Sequence, residues 1–123
     1  MSSRREPKAA ADGLKARYRR AIIEILAAHP KVERIVLFGS RAWGNFRPQS
    51  DIDLALYGEE LTWDDLTKLK EKLEETTIPY RIDLLLVRDL EDRGLRERIE
   101  KHGVEWFCRP SRKRDRSGKG TAR

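Results

Sequence analysis

Cysteine is almost missing from this chain. Cys108 is the only one among 123 residues, which excludes an intrachain disulfide and any metal cluster built on several thiolates, and fits a reducing, cytoplasmic setting. Long apolar runs are missing as well. Stretches such as Ile35–Phe38 and Leu84–Val87 fall far short of the roughly 20 residues a membrane helix needs. The opening Met1-Ser-Ser-Arg-Arg-Glu-Pro7 leads into no apolar signal-peptide core, so a soluble protein with no membrane partner is expected. No Gly-x-x-x-x-Gly-Lys-Ser/Thr phosphate loop occurs either.

Charge is abundant, at 39% of residues, with a mean hydropathy of -0.75. The apolar residues nevertheless cluster in periodic segments, which argues against global disorder. The length suits one hydrophobic core and not two. The net charge of +6 is unevenly placed: Arg109 to Arg123 holds seven basic residues and one acid, Asp115, so the remainder is formally neutral. A Gly/Ser/Arg/Lys tail of this kind is either a solubilising extension or a weak RNA or partner contact. The expected organisation is a flexible N-terminus over 1–12, one domain over 13–108 and a basic disordered tail over 109–123.

Within the domain, Leu14, Tyr18, Ala21, Ile22, Ile25 and Leu26 recur at helical spacing, predicting an amphipathic helix over 13–29 that Pro30 ends. Val32–Phe38 reads as a strand stopping at Gly39, and Asp51–Tyr57 as a second. Thr62 is placed to cap a helix carrying Leu66, Leu69 and Leu73, with Asp65 completing a capping box. Tyr80–Val87 is a third strand, and Asp89 is placed to cap a last helix through Leu95 and Ile99, closed by Gly103 before Val104, Trp106 and Phe107 pack down. Helices and strands in this order give an α+β chain, a small sheet of three to four strands with flanking helices.

Three features carry chemistry: the Gly39-Ser40 turn after a strand, the Asp51-x-Asp53 pair opening the next, and Asp83 inside the third. Taken singly, each has a bland alternative as a plain turn or a solvated strand end. Together they are harder to dismiss. Alternation along a strand puts Asp51 and Asp53 on one face and Ile52, Leu54 and Leu56 on the other. Asp83 interrupts an apolar strand, where an uncompensated carboxylate costs several kcal/mol, and a divalent cation would compensate it. Mg²⁺ takes oxygen ligands and binds one or two carboxylates plus substrate phosphates. Two such ions can serve an in-line displacement at phosphorus. A glycine lets backbone N–H groups approach phosphate closely, and the Ser40 hydroxyl adds a donor.

The segment Gly39-Ser-Arg-Ala-Trp-Gly-Asn-Phe-Arg-Pro-Gln-Ser-Asp51-Ile-Asp53, with ten residues between Ser40 and Asp51, resembles the Gly-Ser-x₁₀-Asp-x-Asp signature of the minimal nucleotidyltransferases (MNT) in the DNA polymerase β-like superfamily. Arg81-Ile-Asp83-Leu-Leu-Leu is similar to the segment bearing their third carboxylate. The resemblance spans about residues 14 to 107 and implies a mixed sheet in the polymerase β-like nucleotidyltransferase fold. It implies transfer of AMP from ATP to a hydroxyl, with pyrophosphate released. Asp51 and Asp53 would hold two Mg²⁺ ions, Asp83 would ligate one of them and could serve as general base, and Gly39, Ser40 and Arg41 would contact the triphosphate. Many relatives of this length are antitoxins that silence a HEPN ribonuclease by adenylylating a tyrosine, so a HEPN-type toxin is the implied partner. Trp43, where the family more often has a smaller or polar residue, and the basic tail depart from its pattern.

Other residues have plainer readings. Arg41 and Arg47 either contact phosphate or acceptor, or belong to a solvated loop. His29 and His102 read as helix-end polar groups, Trp106 and Phe107 as core or interface, and Cys108 as a bystander. Two rival functions stand beside the protein adenylyltransferase: a nucleotidyltransferase acting on an antibiotic-type small molecule, and a non-catalytic antitoxin that works by binding alone.

Overall fold

The computed structural model describes residues 12–110. The basic tail expected from 109 onward, with its RNA contact, therefore lies outside the described residues from 111, as does most of the expected N-terminal segment. Four helices and four strands follow in the order α1 (Ala16–Ala27), β1 (Arg34–Phe38), α2 (Ser40–Trp43), β2 (Ile52–Tyr57), α3 (Trp63–Glu74), β3 (Ile82–Leu86), α4 (Arg93–His102) and β4 (Val104–Cys108). The chain is α+β, with a mixed sheet ordered β3-β2-β1-β4. β1 is antiparallel to β2 and β4, whereas β2 and β3 run parallel because α3 carries the chain back between them.

Alternation along the strands sorts side chains onto two faces. On one, Ile35, Leu37, Ile52, Leu54, Leu56, Ile82 and Leu86 meet Ile22 and Leu26 of α1 and Leu66, Leu69 and Leu73 of α3 in the main core. Fully burying each such side chain contributes about 1.5–3 kcal/mol, so this face fixes the register of the whole sheet. On the other, Val36, Ala55 and Val87 pack with Ile99 of α4 in a smaller cluster.

Local signals account for most boundaries. The Thr62 hydroxyl accepts from the Asp65 N–H at 3.0 Å and the Asp65 carboxylate accepts from the Thr62 N–H at 3.0 Å, the expected capping box. The last helix differs from expectation: Val87–Asp89 forms a short 3₁₀ turn, and the cap of α4 is Asp92, whose Oδ1 accepts from the Leu95 N–H at 3.0 Å. Val104–Cys108 is a fourth strand on β1, interrupted by an irregularity beside Ile35 and Val36. Trp106 and Phe107 pack from it against the main core, while Cys108 is exposed.

Residues flanking the expected domain, Asp12 and Arg109, make specific contacts with it. Arg109 donates its N–H to the Glu33 carbonyl at 2.8 Å, and its guanidinium bonds the carbonyls of Ala27, His29 and Val32 at 2.8, 3.2 and 3.1 Å. A cation on the last carbonyls of α1 suits the negative end of that helix. At the other end Asp12 is buried and accepts from the Leu14 N–H and from Arg19.

Candidate active site

The parallel register sets Asp53 directly beside Asp83, and the antiparallel register sets Phe38 beside Asp53. Directly paired residues share a face of the sheet, so the two carboxylates project together next to the point where β1 ends in Gly39. Asp51 precedes β2 and is exposed, while Ile52 and Leu54 between and beyond the two acids are fully buried on the opposite face. The expected division of β2 into an acidic and an apolar side is thus what the fold produces.

Gly39 and Asp53 constrain each other. Gly39 has φ 79° and ψ -160°, a left-handed conformation that favours glycine. A Cβ built on it would also strike Oδ2 of Asp53. No other residue lets the backbone turn this closely over the carboxylate. The four-residue helix α2 starts at Ser40 on the far side of the turn and ends at Gly44, φ 97°. Gly39, Ser40 and the carboxylates of Asp51 and Asp53 therefore bracket one corner of the sheet.

Electrostatics mark Asp53 as the stressed member. Burial pushes its carboxyl above the usual carboxylate range, and the neighbouring charges of Asp83 and then Asp51 push it further. Asp83, by contrast, is less desolvated than its apolar strand suggested. Its side chain is 38% exposed, and its Oδ1 lies 3.5 Å from Nζ of Lys70 and 3.3 Å from Nε of Arg81. These two cations, Lys70 from α3 and Arg81 just ahead of β3, were missed by sequence reasoning; spacing along the chain does not reveal that the Lys70 side chain reaches Asp83.

The donor set is all carboxylate oxygen, as hard a cation as Mg²⁺ requires, and the Gly39 turn leaves open the space a Cβ would fill beside Asp53. The residues fit the ion on that ground. Among the described residues no three acidic, imidazole or thiol groups are already closed around one point; Asp83 is drawn toward its two cations instead.

Arg41 corrects an expectation. Placed beside the phosphate turn by sequence, it is turned inward and only 2% exposed. Its guanidinium donates to the carbonyls of Asp12 at 2.8 Å, Pro48 at 3.1 Å and Ser50 at 3.0 Å, and lies over the rings of Phe46 and Tyr80. With its donors spent on carbonyls, it ties the loop ahead of Asp51 to the start of the chain. Arg47 is exposed, its N–H bonded to the Ser50 hydroxyl at 2.8 Å. Trp43 stands between Arg98, 4.7 Å over its ring, and the edge of His102. His29 pairs with Asp65 at 3.4 Å, away from the acidic corner.

Comparison with known proteins agrees with this geometry. The family model described as polymerase beta, nucleotidyltransferase, matches residues 20–112. The chain is 45% identical over 49 residues to a Haemophilus influenzae protein named probable protein adenylyltransferase MntA; the match covers 39% of this chain and 43% of that protein's length. Among solved structures it is similar to a toxin–antitoxin structure with AMP-PNP, at TM-score 0.63 and 26% identity over 78% of this chain and 76% of the other. A tri-AMPylated Shewanella oneidensis HEPN toxin in complex with its MNT antitoxin shares the fold, at TM-score 0.60 and 24% identity over 77% and 73%. The acidic corner and the family match together make the chain a member of the polymerase β nucleotidyltransferase family, similar to the MNT antitoxins of toxin–antitoxin pairs.

Proposed function

We propose that the chain transfers AMP from ATP to a tyrosine hydroxyl of a partner HEPN-type toxin, in a Mg²⁺-dependent reaction that neutralises the toxin in the cytoplasm. The observation that carries this reading is the in-register pair of Asp53 and Asp83 beside the Gly39 turn. The adenylyl group and the protein acceptor are supported by the MntA relative and by the nucleotide analogue in the similar toxin–antitoxin structure. The partner class follows the pairs that share the fold.

In this reading Gly39 and Ser40 would bind the triphosphate, Asp51 and Asp53 would hold two Mg²⁺ ions, and Asp83 would hold one of them. When bound, Mg²⁺ neutralises phosphate charge and makes the acceptor hydroxyl more acidic. The acceptor oxygen forms a bond to the α-phosphorus, the bond from that phosphorus to pyrophosphate breaks, and pyrophosphate leaves with the electron pair. Asp83 takes the hydroxyl proton. Arg41 acts at a distance by fixing the loop that delivers Asp51 and Asp53.

The test incubates the purified chain with ATP, Mg²⁺ and a purified HEPN partner protein, then maps the partner by mass spectrometry. An adenylyl group on a tyrosine, absent with the Asp51→Ala/Asp53→Ala double variant, is the expected result. An unmodified partner that is neutralised equally by that double variant would overturn the reading in favour of binding alone.

A further inference from the structure

β3 is an edge of the sheet, and its outer side pairs with no strand among the described residues. Beside it, between β3 and α3, lies a hollow of about 400 Å³ with Leu66 and Leu84 in its floor and Asp83 in its wall. A second of about 430 Å³ continues along β3, sharing Lys70 and Glu74 with the first. Trp63 lines the first hollow at the head of α3. It is 55% exposed, one of two large apolar side chains that stand out on the surface among the described residues. At the same end of α3, Arg88 holds the Asp89 carboxylate at 3.1 Å and donates to the Glu59 carbonyl at 2.8 Å. The Trp63 ring is thus open to a partner.

The chemistry of this groove selects a class of occupant. Glu71, Glu74 and Asp83 oppose only Lys70 and Arg81 along it, a balance unsuited to a phosphate backbone, which is bound by an excess of cations. An unpaired strand edge matches the N–H and C=O groups of an extended polypeptide, with pockets beside it for alternate side chains. An exposed tryptophan is the residue type that most often anchors a protein interface.

Building on the adenylyl transfer to a protein hydroxyl proposed above, we infer that the groove between α3 and β3 seats an extended segment of the acceptor protein, laid along the free edge of β3. An apolar side chain of that segment rests on Trp63 while its acceptor hydroxyl meets Asp83. Trp63 and Lys70 are about two helical turns apart, roughly 10 Å, and an extended chain covers that span in about three residues. The anchor therefore stands about three residues from the modified hydroxyl.

The test uses the full chain with Trp63→Ala, and Val104→Ala as control, since Val104 is the other large apolar residue exposed among the described residues and lies on the opposite edge, in β4. Each is titrated with a purified HEPN partner protein whose acceptor tyrosine is replaced by phenylalanine, and separately with AMP-PNP and Mg²⁺. The expected result is at least tenfold weaker partner binding for Trp63→Ala, no change for Val104→Ala, and unchanged AMP-PNP binding in both. A photo-crosslinker at Thr67, exposed on α3, should capture the partner close to its acceptor. If Trp63→Ala binds this partner as tightly as the parent does, and adenylylates the unsubstituted partner at the parent's rate, the groove assignment is overturned while adenylyl transfer stands. If no protein is labelled at all although AMP-PNP binds, both fall together.

Discussion

Replacing Asp53 with Asn should stabilise the metal-free protein while removing its response to magnesium. Asp53 is half-buried beside Asp83 and Asp51, and its carboxyl is raised above the usual range by burial and by those charges. Paired strands lie about 4.8 Å apart, and two unit charges about 5 Å apart interact by about 3 kcal/mol at an effective dielectric near 20. Lys70 and Arg81 at Asp83 and solvent around Asp51 offset much of that, which leaves about 1 kcal/mol to be gained by the amide. For a domain of about 100 residues this is a rise of roughly 4–8 °C in Tm. Because the folded pKa lies above the unfolded one, the native state binds the extra proton between the two. The parent is therefore most stable, in this respect, below about pH 3.9 and loses that stability as pH rises through the folded value. The Asp53→Asn protein lacks this loss. Magnesium at about 100 times its Kd should add about 2.7 kcal/mol to the parent and almost nothing to the variant. Thermal melts in EDTA and in Mg²⁺, each from pH 3.5 to 8, measure all of this. A variant less stable than the parent in EDTA at pH 7, or equally stabilised by Mg²⁺, would refute the electrostatic account of the site.

Three further outcomes are expected. Gly39→Ala should cost about 1–2 kcal/mol for the positive φ, and its Cβ should displace the Asp53 carboxylate, so calorimetry should show weaker Mg²⁺·AMP-PNP binding than the stability loss explains. Arg41→Met should lower stability by about 2–4 kcal/mol in the absence of nucleotide, because the carbonyls of Asp12, Pro48 and Ser50 lose a charged donor; an unchanged Tm with a raised KM for ATP would instead restore Arg41 to the phosphates. Thr62→Ala should remove about 1 kcal/mol through the lost cap of α3, read in denaturant titration, with AMP-PNP binding unaffected.

How far the sequence disclosed this protein depended on the range of each interaction. β1, β2 and β3, the Thr62 capping box and the opposed faces of Asp53 and Ile52 rest on periodicity within a few residues, and all were legible. Residues settled by distant contacts were not. Nothing local marks Val104–Cys108 as a strand, since its glutamate and exposed valine acquire meaning only once β1 is there to pair with. Asp89 looked like a cap because a 3₁₀ turn cannot be told from the start of α4 by composition, and three residues later Asp92 offers the same chemistry. Arg41 follows a phosphate-binding turn in sequence, yet Asp12, 29 positions away, and the loop at Pro48 and Ser50 claim its guanidinium. Lys70 reaches Asp83 across the fold for the same reason.

The central claim is that the acidic corner moves an adenylyl group and no other part of ATP. ATP labelled at the α-phosphate and ATP labelled at the γ-phosphate should be supplied in parallel to the chain with its HEPN partner and Mg²⁺. The account predicts label on the partner from the α-position alone, abolished by Asp53→Asn. Label from the γ-position, or α-label that persists in that variant, would contradict it.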